Sequence, residues 1–207
     1  MDAFSTLADR VSAELEERGS RFLAIAVPVL DRAAAEAFVA HEARAHRNPT
    51  HVVPAFRLRD GTAYSSDAGE PAGSAGAPLL AALGGAGLAD VAAVVVRWYG
   101  GTNLGVGGLV RAYGGALARA LAGAPVARCE RALAVRLAYG HDQTAAVMRC
   151  VSSGGGREQE HGYREDGAEL RCLVPVGRVE SLERCLRDAT RGEVAVERLG
   201  DAVIRSA

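Results

Sequence analysis

Residues 90–115 read DVAAVVVRWYGGTNLGVGGLVRAYGG and connect a predicted strand to a predicted helix through a glycine-rich loop. The unbroken apolar run at 90–96 is typical of a strand that is covered on both faces. Apolar residues then recur at helical spacing, which predicts a helix from about residue 106 to about residue 122. A buried strand followed by a helix indicates a fold in which both kinds of element build the core.

The glycines of this stretch match none of the common nucleotide-binding loops. Gly105 and Gly107 begin a G-x-G-x-x-G pattern, but Val110 occupies the last glycine position. The sequence contains no lysine, which excludes a Walker A loop and Schiff-base chemistry. Backbone amides between a strand and a helix still present N–H groups to an anion, so a phosphate site without lysine remains possible here.

Two arginines flank the glycine loop and make it a candidate anion site. Arg97 ends the strand, and Arg111 lies on a helix stripe that otherwise carries only glycine and alanine. A glycine inside a helix costs about 1 kcal/mol relative to alanine, so Gly114 and Gly115 serve either close packing or the approach of a partner. The residues predicted to bind an anion or nucleic acid are Arg97, Tyr99, Gly100, Gly101, Asn103, Gly105, Gly107, Gly108 and Arg111.

A second polar group lies upstream. The loop DAGEPAGSAGAP (67–78) carries Asp67 and Glu70, and His51 opens an earlier predicted strand. These side chains are able to line a polar cleft, to ligate a divalent cation or to act as acid and base. Alternatively, Asp67 caps a turn and His51 is a structural histidine. No complete catalytic motif such as G-x-S-x-G or H-E-x-x-H is present.

Elements predicted before the glycine loop are a strand at 20–30, a helix at 31–46 capped by Asp31, a hairpin formed by 51–59 and TAYSS, and a short helix at 78–83. The segment before Arg18 fits both the helix and the strand periodicity, and the pattern alone does not decide between them.

The pattern changes after GAPVARCE (123–130), which is predicted to be a linker. Strand, helix, strand, strand, helix and strand then follow at 131–139, 141–153, 157–165, 168–176, 178–192 and 193–199. That order is the ferredoxin-like βαββαβ arrangement. We therefore predict an α+β protein with two domains, residues 1–127 and 128–207.

Charge and cysteine content limit the class of protein further. The formal net charge of −1 means that any nucleic-acid surface has to be a local patch. The four cysteines form no C-x-x-C pair, so we predict reduced thiols, no structural metal and no cofactor. The N-terminus lacks the pattern of a signal peptide and no apolar run reaches membrane-spanning length, so a cytoplasmic protein is expected.

Three motifs together resemble the signature of the IMPACT/YigZ family: SDAGEPAGSAGAP (66–78), VVVRWYGG (94–101) and LGVGGLVRAY (104–113). SRFLA (20–24) and THVVPA (50–55) resemble the motifs that flank this signature. The resemblance implies an N-terminal domain of the superfold shared by the second domain of a small-subunit ribosomal protein and domain IV of elongation factor G. It implies a C-terminal domain similar to domain V of that factor, and it favours a strand over residues 8–17.

Two positions depart from the family pattern. Ala68 replaces the second of two consecutive aspartates, and Asn103 replaces a lysine that usually precedes Leu-Gly. The first change weakens any site that needs two carboxylates, and the second removes one expected cation from the loop.

The resemblance implies a role in translation, with RNA or the ribosome as the expected partner, and the family's eukaryotic members act through a protein partner. In this hypothesis Arg97, Arg111 and the loop amides hold phosphates of ribosomal or transfer RNA, while Trp98, Tyr99 or Tyr113 stacks on bases.

The alternatives are a metal-assisted phosphoester hydrolase that uses Asp67, Glu70 and His51, and a protein-interaction scaffold without catalysis. The missing second aspartate and the incomplete catalytic set favour binding over catalysis. The sequence does not determine the oligomeric state.

Overall fold

The computed structural model describes residues 3–164 and 166–206. The chain divides into two compact units, of which one is Phe4–Ala127 and the other contains Arg128 and the described residues after it. Both units combine helices with an antiparallel sheet, so the predicted α+β class is confirmed. None of the helices in the described ranges combines the length and apolarity that crossing a bilayer requires.

The elements up to residue 121 are β1 (Ala3–Leu7), β2 (Val11–Glu17), β3 (Ser20–Pro28), α1 (Arg32–Ala45), β4 (His51–Arg57), β5 (Ala63–Ser65), α2 (Gly76–Gly85), β6 (Val91–Trp98) and α3 (Gly105–Leu121). The sheet has the order β2-β3-β6-β4-β5, and its neighbouring strands are antiparallel. The segment whose periodicity was ambiguous forms β2, in agreement with the resemblance.

Strand β6 is central in this sheet and is buried on both faces, which explains its unbroken apolar sequence. Val91, Ala93 and Val95 belong to the core under α2 and α3. Val94 and Val96 pack with Phe38 and Val39 of α1 on the opposite face. The sheet therefore lies between one helix and a pair of helices.

Capping residues determine where α1 and α2 begin. The cap of α1 is adjacent to the helix in sequence, and the cap of α2 lies nine residues before it. Asp31 Oδ1 accepts a hydrogen bond from the Ala34 amide at 2.8 Å, as the predicted cap of α1. Helix α2 begins at Gly76, before the predicted residue 78, because its first amides donate to Asp67 in the preceding loop. A cap nine residues upstream is invisible to local helix signals.

The elements of the second unit are β7 (Val126–Tyr139), α4 (Thr144–Ser153), β8 (Arg157–Arg164), β9 (Gly167–Pro175), α5 (Val179–Ala189) and β10 (Ala195–Ser206). Strands β10, β7, β9 and β8 lie side by side in this order, which is the ferredoxin-like arrangement. Apolar residues of α4 and α5 form the core against one face of this sheet. Glu165, the predicted end of the strand at 157–165, lies outside the described residues.

Two predicted boundaries of the second unit are wrong. The prediction placed a linker over 123–130, but β7 begins at Val126. The final strand extends to Ser206 rather than ending near residue 199. Its register shifts between Arg198 and Gly200, which marks a β-bulge inside a longer strand.

The predicted set of four reduced thiols is also wrong. Cys150 of α4 and Cys185 of α5 form a disulfide with a Cα–Cα distance of 5.7 Å. Their separation of 35 residues carries no recognisable motif, and only the packing of the two helices brings the thiols together. Cys129 and Cys172 are buried and lie outside this disulfide.

Candidate functional site

Three of the sequence motifs of the first unit meet at a buried carboxylate, Glu70. The Arg97 guanidinium donates from Nη1 to Glu70 Oε1 at 2.7 Å, and the Tyr113 hydroxyl donates to the same oxygen at 2.7 Å. The side chains of Arg97 and Glu70 are 6% and 4% exposed. The loop before α2, the end of β6 and the middle of α3 are thereby joined by one ion pair and one hydrogen bond.

Ser20 and His51 complete this group, called here the Glu70 cluster (Ser20, His51, Glu70, Arg97 and Tyr113). Arg97 Nη2 lies 3.5 Å from Ser20 Oγ. His51 Nδ1 lies 2.8 Å from the Ala68 carbonyl oxygen, and because a carbonyl can only accept, Nδ1 carries the proton. His51 Nε2 then faces Glu70 Oε1 at 3.9 Å.

The electrostatics of the Glu70 cluster are those of an internal scaffold. Burial, followed by the hydrogen bond to Glu70, raises the pKa of Tyr113, so the phenol stays a neutral donor. Arg97 is already paired with Glu70 and is 5% exposed as a whole residue. The structure does not support an anion-binding role for Arg97, because a phosphate would have to displace a buried carboxylate.

Asp67 is committed to the backbone of its own loop. Its Oδ1 accepts from the amides of Ala75 at 3.0 Å and Gly76 at 2.8 Å, and its Oδ2 accepts from Gly73 at 2.8 Å. The hydrogen bond from Gly76, followed by those from Gly73 and Ala75, lowers the pKa of Asp67. The capping interpretation of Asp67 therefore describes the structure.

The proposed polar cleft of His51, Asp67 and Glu70 is thus assembled only in part. His51 approaches Glu70, whereas the oxygens of Asp67 are held by backbone amides. Among the described residues, no group of three or more His, Cys, Asp or Glu side chains is placed to hold a metal ion. The carboxylates that the hydrolase hypothesis requires are engaged by protein donors instead.

The glycines of the loop have separate causes. A Cβ on Gly100 would lie 1.9 Å from the carbonyl carbon of Gly19, so the turn between β2 and β3 packs directly on this backbone. Gly101 and Gly105 have φ values of +87° and +67°, and residues that carry a side chain rarely adopt such values. A Cβ on Gly115 would meet only an ordinary contact, Leu15 Cδ2 at 3.9 Å. Packing therefore explains Gly100 but not the exposed Gly115.

Arg111 is exposed and lies over the first turn of α3. Its Nη1 is 3.6 Å from the position that a Cβ on Gly107 would occupy, one turn towards the N-terminus. In the part of the chain that the structure describes, Arg111 has no hydrogen bond or ion pair. The first turn of α3 has neither a side-chain cap nor an acidic residue. A guanidinium and open backbone amides consequently converge at one surface point.

Charged side chains are sparse in α2, in α3 and in the segments that adjoin them. Between Pro71 and Ala127 the sequence has only four charged side chains, of which Asp90 and Arg97 are buried. The remaining two are Arg111 and Arg119, both exposed on α3. We call this outer surface of the two helices the α2–α3 face, and its exposed residues are Ala77, Ala81, Val106, Gly107, Val110, Arg111, Gly115, Ala118 and Arg119.

The sequence analysis did not single out Arg119, although the absence of Asp and Glu over residues 91–127 is a signal that could have indicated it. The predicted stripe of Gly108, Arg111, Gly115 and Ala118 does face solvent, with Gly108 only partly exposed. The side chain that the sequence placed correctly in the open is therefore Arg111, not Arg97.

Tyr99 and Asn103 form the rim of the loop. Tyr99 is 46% exposed, and its hydroxyl donates to Asn103 Oδ1 at 3.2 Å. The Tyr99 amide donates to Thr50 Oγ1 at 2.9 Å, so ring and backbone are both held. Asn103, which replaces a lysine in the family pattern, acts here as the acceptor that orients the ring.

The other two aromatic candidates for base stacking differ from Tyr99. Tyr113 is fully buried and cannot reach a base. Trp98 points to the α1 side of the sheet, where the Arg21 guanidinium lies 4.0 Å from its ring centre and the indole N–H donates to the Arg47 carbonyl. Tyr99 is therefore the stacking candidate, and it lies in the loop that leads into α3.

Comparison with known proteins places the motifs in a family. The Impact N-terminal domain matches residues 18–121. An IMPACT family member encoded in the pol 5′ region of Thermus thermophilus is 39% identical over 180 residues, covering 86% of this chain and 97% of that protein. The IMPACT family member YigZ of Escherichia coli K12 is 32% identical over 199 residues, covering 94% of this chain and 97% of YigZ.

Similarity also extends to a solved structure. A crystal structure described only as that of a hypothetical protein superposes with a TM-score of 0.71 at 32% identity, covering 95% of this chain and 97% of that one. The matched domain, the two relatives and the motifs around Glu70 and α3 lead to one conclusion: the chain belongs to the IMPACT family.

Proposed function

We propose that the protein binds RNA through the α2–α3 face, with Arg111 and the first turn of α3 holding a backbone phosphate. The observation that carries the proposal is the position of the Arg111 guanidinium over Gly107, beside a helix N-terminus without a cap or an acid. Unpaired amides and a guanidinium are both donors to phosphate oxygens.

The position of Arg111 is unfavourable for the isolated fold. The N-terminal end of a helix carries a partial positive charge, so a cation there costs about 0.3–1 kcal/mol instead of contributing stability. Within the described residues, no carboxylate forms an ion pair with Arg111. An anionic ligand removes the repulsion, because it interacts favourably with both the guanidinium and the helix dipole.

The shape of the α2–α3 face suits a phosphate backbone. Its exposed side chains around Arg111 are mostly glycine, alanine and valine, which leave the helix backbone accessible. Arg119 is eight residues from Arg111, which corresponds to about 12 Å along the helix axis. Two arginines at this separation are able to contact different phosphates and would act without regard to base sequence.

Tyr99 offers a ring on which a base can stack, a contact that the phosphate-binding arginines do not provide. Its ring is exposed and is held by Asn103 and Thr50, so little side-chain entropy is lost when a base stacks on it. Stacking on an aromatic ring is a common way in which proteins bind unpaired RNA bases. The proposed ligand is ribosomal or transfer RNA, and the proposed role is a cytoplasmic one in translation, together with a protein partner.

The test is the affinity of the chain and of Arg111→Ala for a fluorescein-labelled, mixed-sequence RNA hairpin with a single-stranded tail. We expect the variant to bind more weakly and the slope of log affinity against log salt to fall by about one phosphate contact. The folded state should be as stable as before or slightly more stable, because an unfavourable charge at a helix N-terminus has been removed.

Arg44→Ala is the matched control, because Arg44 is also exposed but lies on α1, on the other side of the sheet. It should retain both affinity and salt slope. RNA affinity that is absent in the wild type, or that Arg111→Ala leaves unchanged, contradicts the proposal. In that case Val106 and Val110, exposed one turn apart on α3, would favour the protein-interaction scaffold.

A further inference from the structure

The second unit contains a small polar pocket where several elements end. Its volume is about 280 Å³, and it opens where α4 ends, β8 begins, β9 ends and α5 begins. Ser152, Arg157, Arg178 and Glu130 form its polar wall, and Pro175 and Ile204 contribute apolar surface. We call it the terminal pocket, and none of the residues considered for RNA binding above belongs to it.

The two arginines of the terminal pocket have donors to spare. Arg157 Nη1 donates to the Arg205 carbonyl at 2.7 Å, which fixes its guanidinium and leaves its other N–H groups for a ligand. The Arg178 guanidinium has no hydrogen bond or ion pair among the described residues. The planar donor fork of arginine matches the oxygens of phosphate, so two such groups on one concave wall select an oxyanion.

The volume of the pocket and the backbone at its rim indicate how a ligand would enter. The volume of about 280 Å³ is large enough for a phosphate group. Its rim includes Gly154 and Gly155, and the φ of +67° at Gly155 turns the chain without a side chain over the opening. A ligand group can therefore approach the arginines from solvent.

We propose that the terminal pocket binds the phosphate group of a phosphomonoester. The ligand is either free in solution or the 5′-phosphate end of an RNA, and the chemistry at the pocket is the same. The site goes beyond the proposed RNA surface, since it lies in the other unit and does not require Arg111. Glu130 lowers the net positive charge of the wall, which predicts that its removal strengthens phosphate binding.

The first experiment is a titration of the isotope-labelled full chain with inorganic phosphate, followed through the backbone amides of Gly154, Gly155 and Arg178. Sodium chloride at equal ionic strength is the reference. We expect saturable shifts with phosphate, a loss of about tenfold or more in affinity for Arg178→Ala, and tighter binding for Glu130→Gln. Arg184→Ala should bind as the wild type does, because Arg184 is exposed on α5, which begins directly after Arg178, and lies outside the pocket.

The second experiment separates the two sources of the phosphate. A single-stranded RNA oligonucleotide is compared in its 5′-phosphorylated and 5′-hydroxyl forms, with wild type, Arg178→Ala and Arg111→Ala. A preference for the phosphorylated end that disappears only in Arg178→Ala assigns the pocket to RNA ends. Equal binding of both forms, together with saturable inorganic phosphate binding, assigns it to small phosphomonoesters.

The proposal is overturned by shifts that do not saturate, or by saturable shifts that Arg178→Ala leaves unchanged. Failure of Arg111→Ala to affect RNA binding would contradict the RNA surface and leave the pocket untouched. Comparable thermal stability of Arg178→Ala and Arg184→Ala ensures that a lost shift reports the ligand and not the fold.

Discussion

At the scale of single residues, Glu70 and Arg111 have opposite roles. Glu70 lies in a loop of glycine, alanine and proline, which suggests an exposed acid, yet its side chain is 4% exposed and bonded to Arg97 and Tyr113. Arg111 lies on a helix of the core layer, yet its guanidinium is open to solvent. The loop sequence suggests the wrong environment for Glu70, whereas the exposure of Arg111 agrees with its residue type.

The Glu70–Arg97 pair should behave as a buried ion pair. We expect Glu70→Ala to reduce the free energy of unfolding by about 3–5 kcal/mol, because it leaves a buried guanidinium without its partner. Urea unfolding of the purified chain measures this loss. Arg32→Ala is the control: it breaks the exposed Arg32–Glu36 pair and should leave the free energy of unfolding nearly unchanged. A small loss for Glu70→Ala would mean that the Glu70 cluster is open in solution.

The Asp67 carboxylate should make stability depend on pH. Its folded pKa is lowered by backbone amides, so its contribution is present above its unfolded pKa of about 3.9 and is lost as the pH falls through the folded value. Asp67→Ala should cost about 1 kcal/mol near pH 6, and much less in strong acid. Unfolding midpoints of wild type and variant across this range measure the difference. A cost that is independent of pH would contradict the role of the ionised form.

At the scale of elements, long-range packing determines where helices and strands end. Helix α2 begins where Asp67 can receive its amides, and β10 passes through a bulge at Gly200 to continue alongside β7. In both places the local sequence contains residues that commonly stop an element. The hydrogen bonds supplied by a distant segment outweigh these local preferences.

The disulfide between α4 and α5 should stabilise the second unit. Closing a loop of 35 residues in the unfolded chain corresponds to about 2–4 kcal/mol. Reduction should therefore lower the unfolding midpoint of the wild type and have no effect on the Cys150→Ser, Cys185→Ser double variant. Alkylation of the unfolded, non-reduced chain followed by mass spectrometry should detect two modified cysteines. Four modified cysteines in the unreduced chain would contradict the disulfide.

At the scale of the whole molecule, the two units have separate cores. Tyr113, Leu117 and their neighbours form one cluster, and Leu137, Leu170 and their neighbours form another without shared residues. Each cluster combines helices with one face of its own sheet. The stability of each unit is therefore expected to respond mainly to substitutions in its own core.

Leu170→Ala tests this separation. It removes a fully buried side chain of the second core, which should cost that unit about 2–5 kcal/mol. Native-state hydrogen exchange should become faster in β7 and β9, with the amides of β3 and β6 unchanged. Leu117→Ala is the mirror experiment and should affect β3 and β6 instead. Equal acceleration in both units by either variant would show that they unfold together.

Much of this architecture is predictable from the sequence because its signals are local. The apolar run of β6, the capping aspartate of α1 and the βαββαβ order of the second unit all depend on residues that are neighbours in the chain. The exposure of Arg111 is likewise predictable, since helical periodicity places it on a stripe of glycine and alanine.

The sequence by itself determined the two α+β units, the order of their elements, the motifs of the family and the exposed arginine on α3. Only the tertiary structure decided that Arg97 is internal, that Asp67 caps α2 and that Cys150 meets Cys185. The physical reason is the sequence distance between the interacting residues. Periodicity and capping are set over a few residues, whereas burial of a charge or contact of two thiols depends on which distant segments the folded chain brings together.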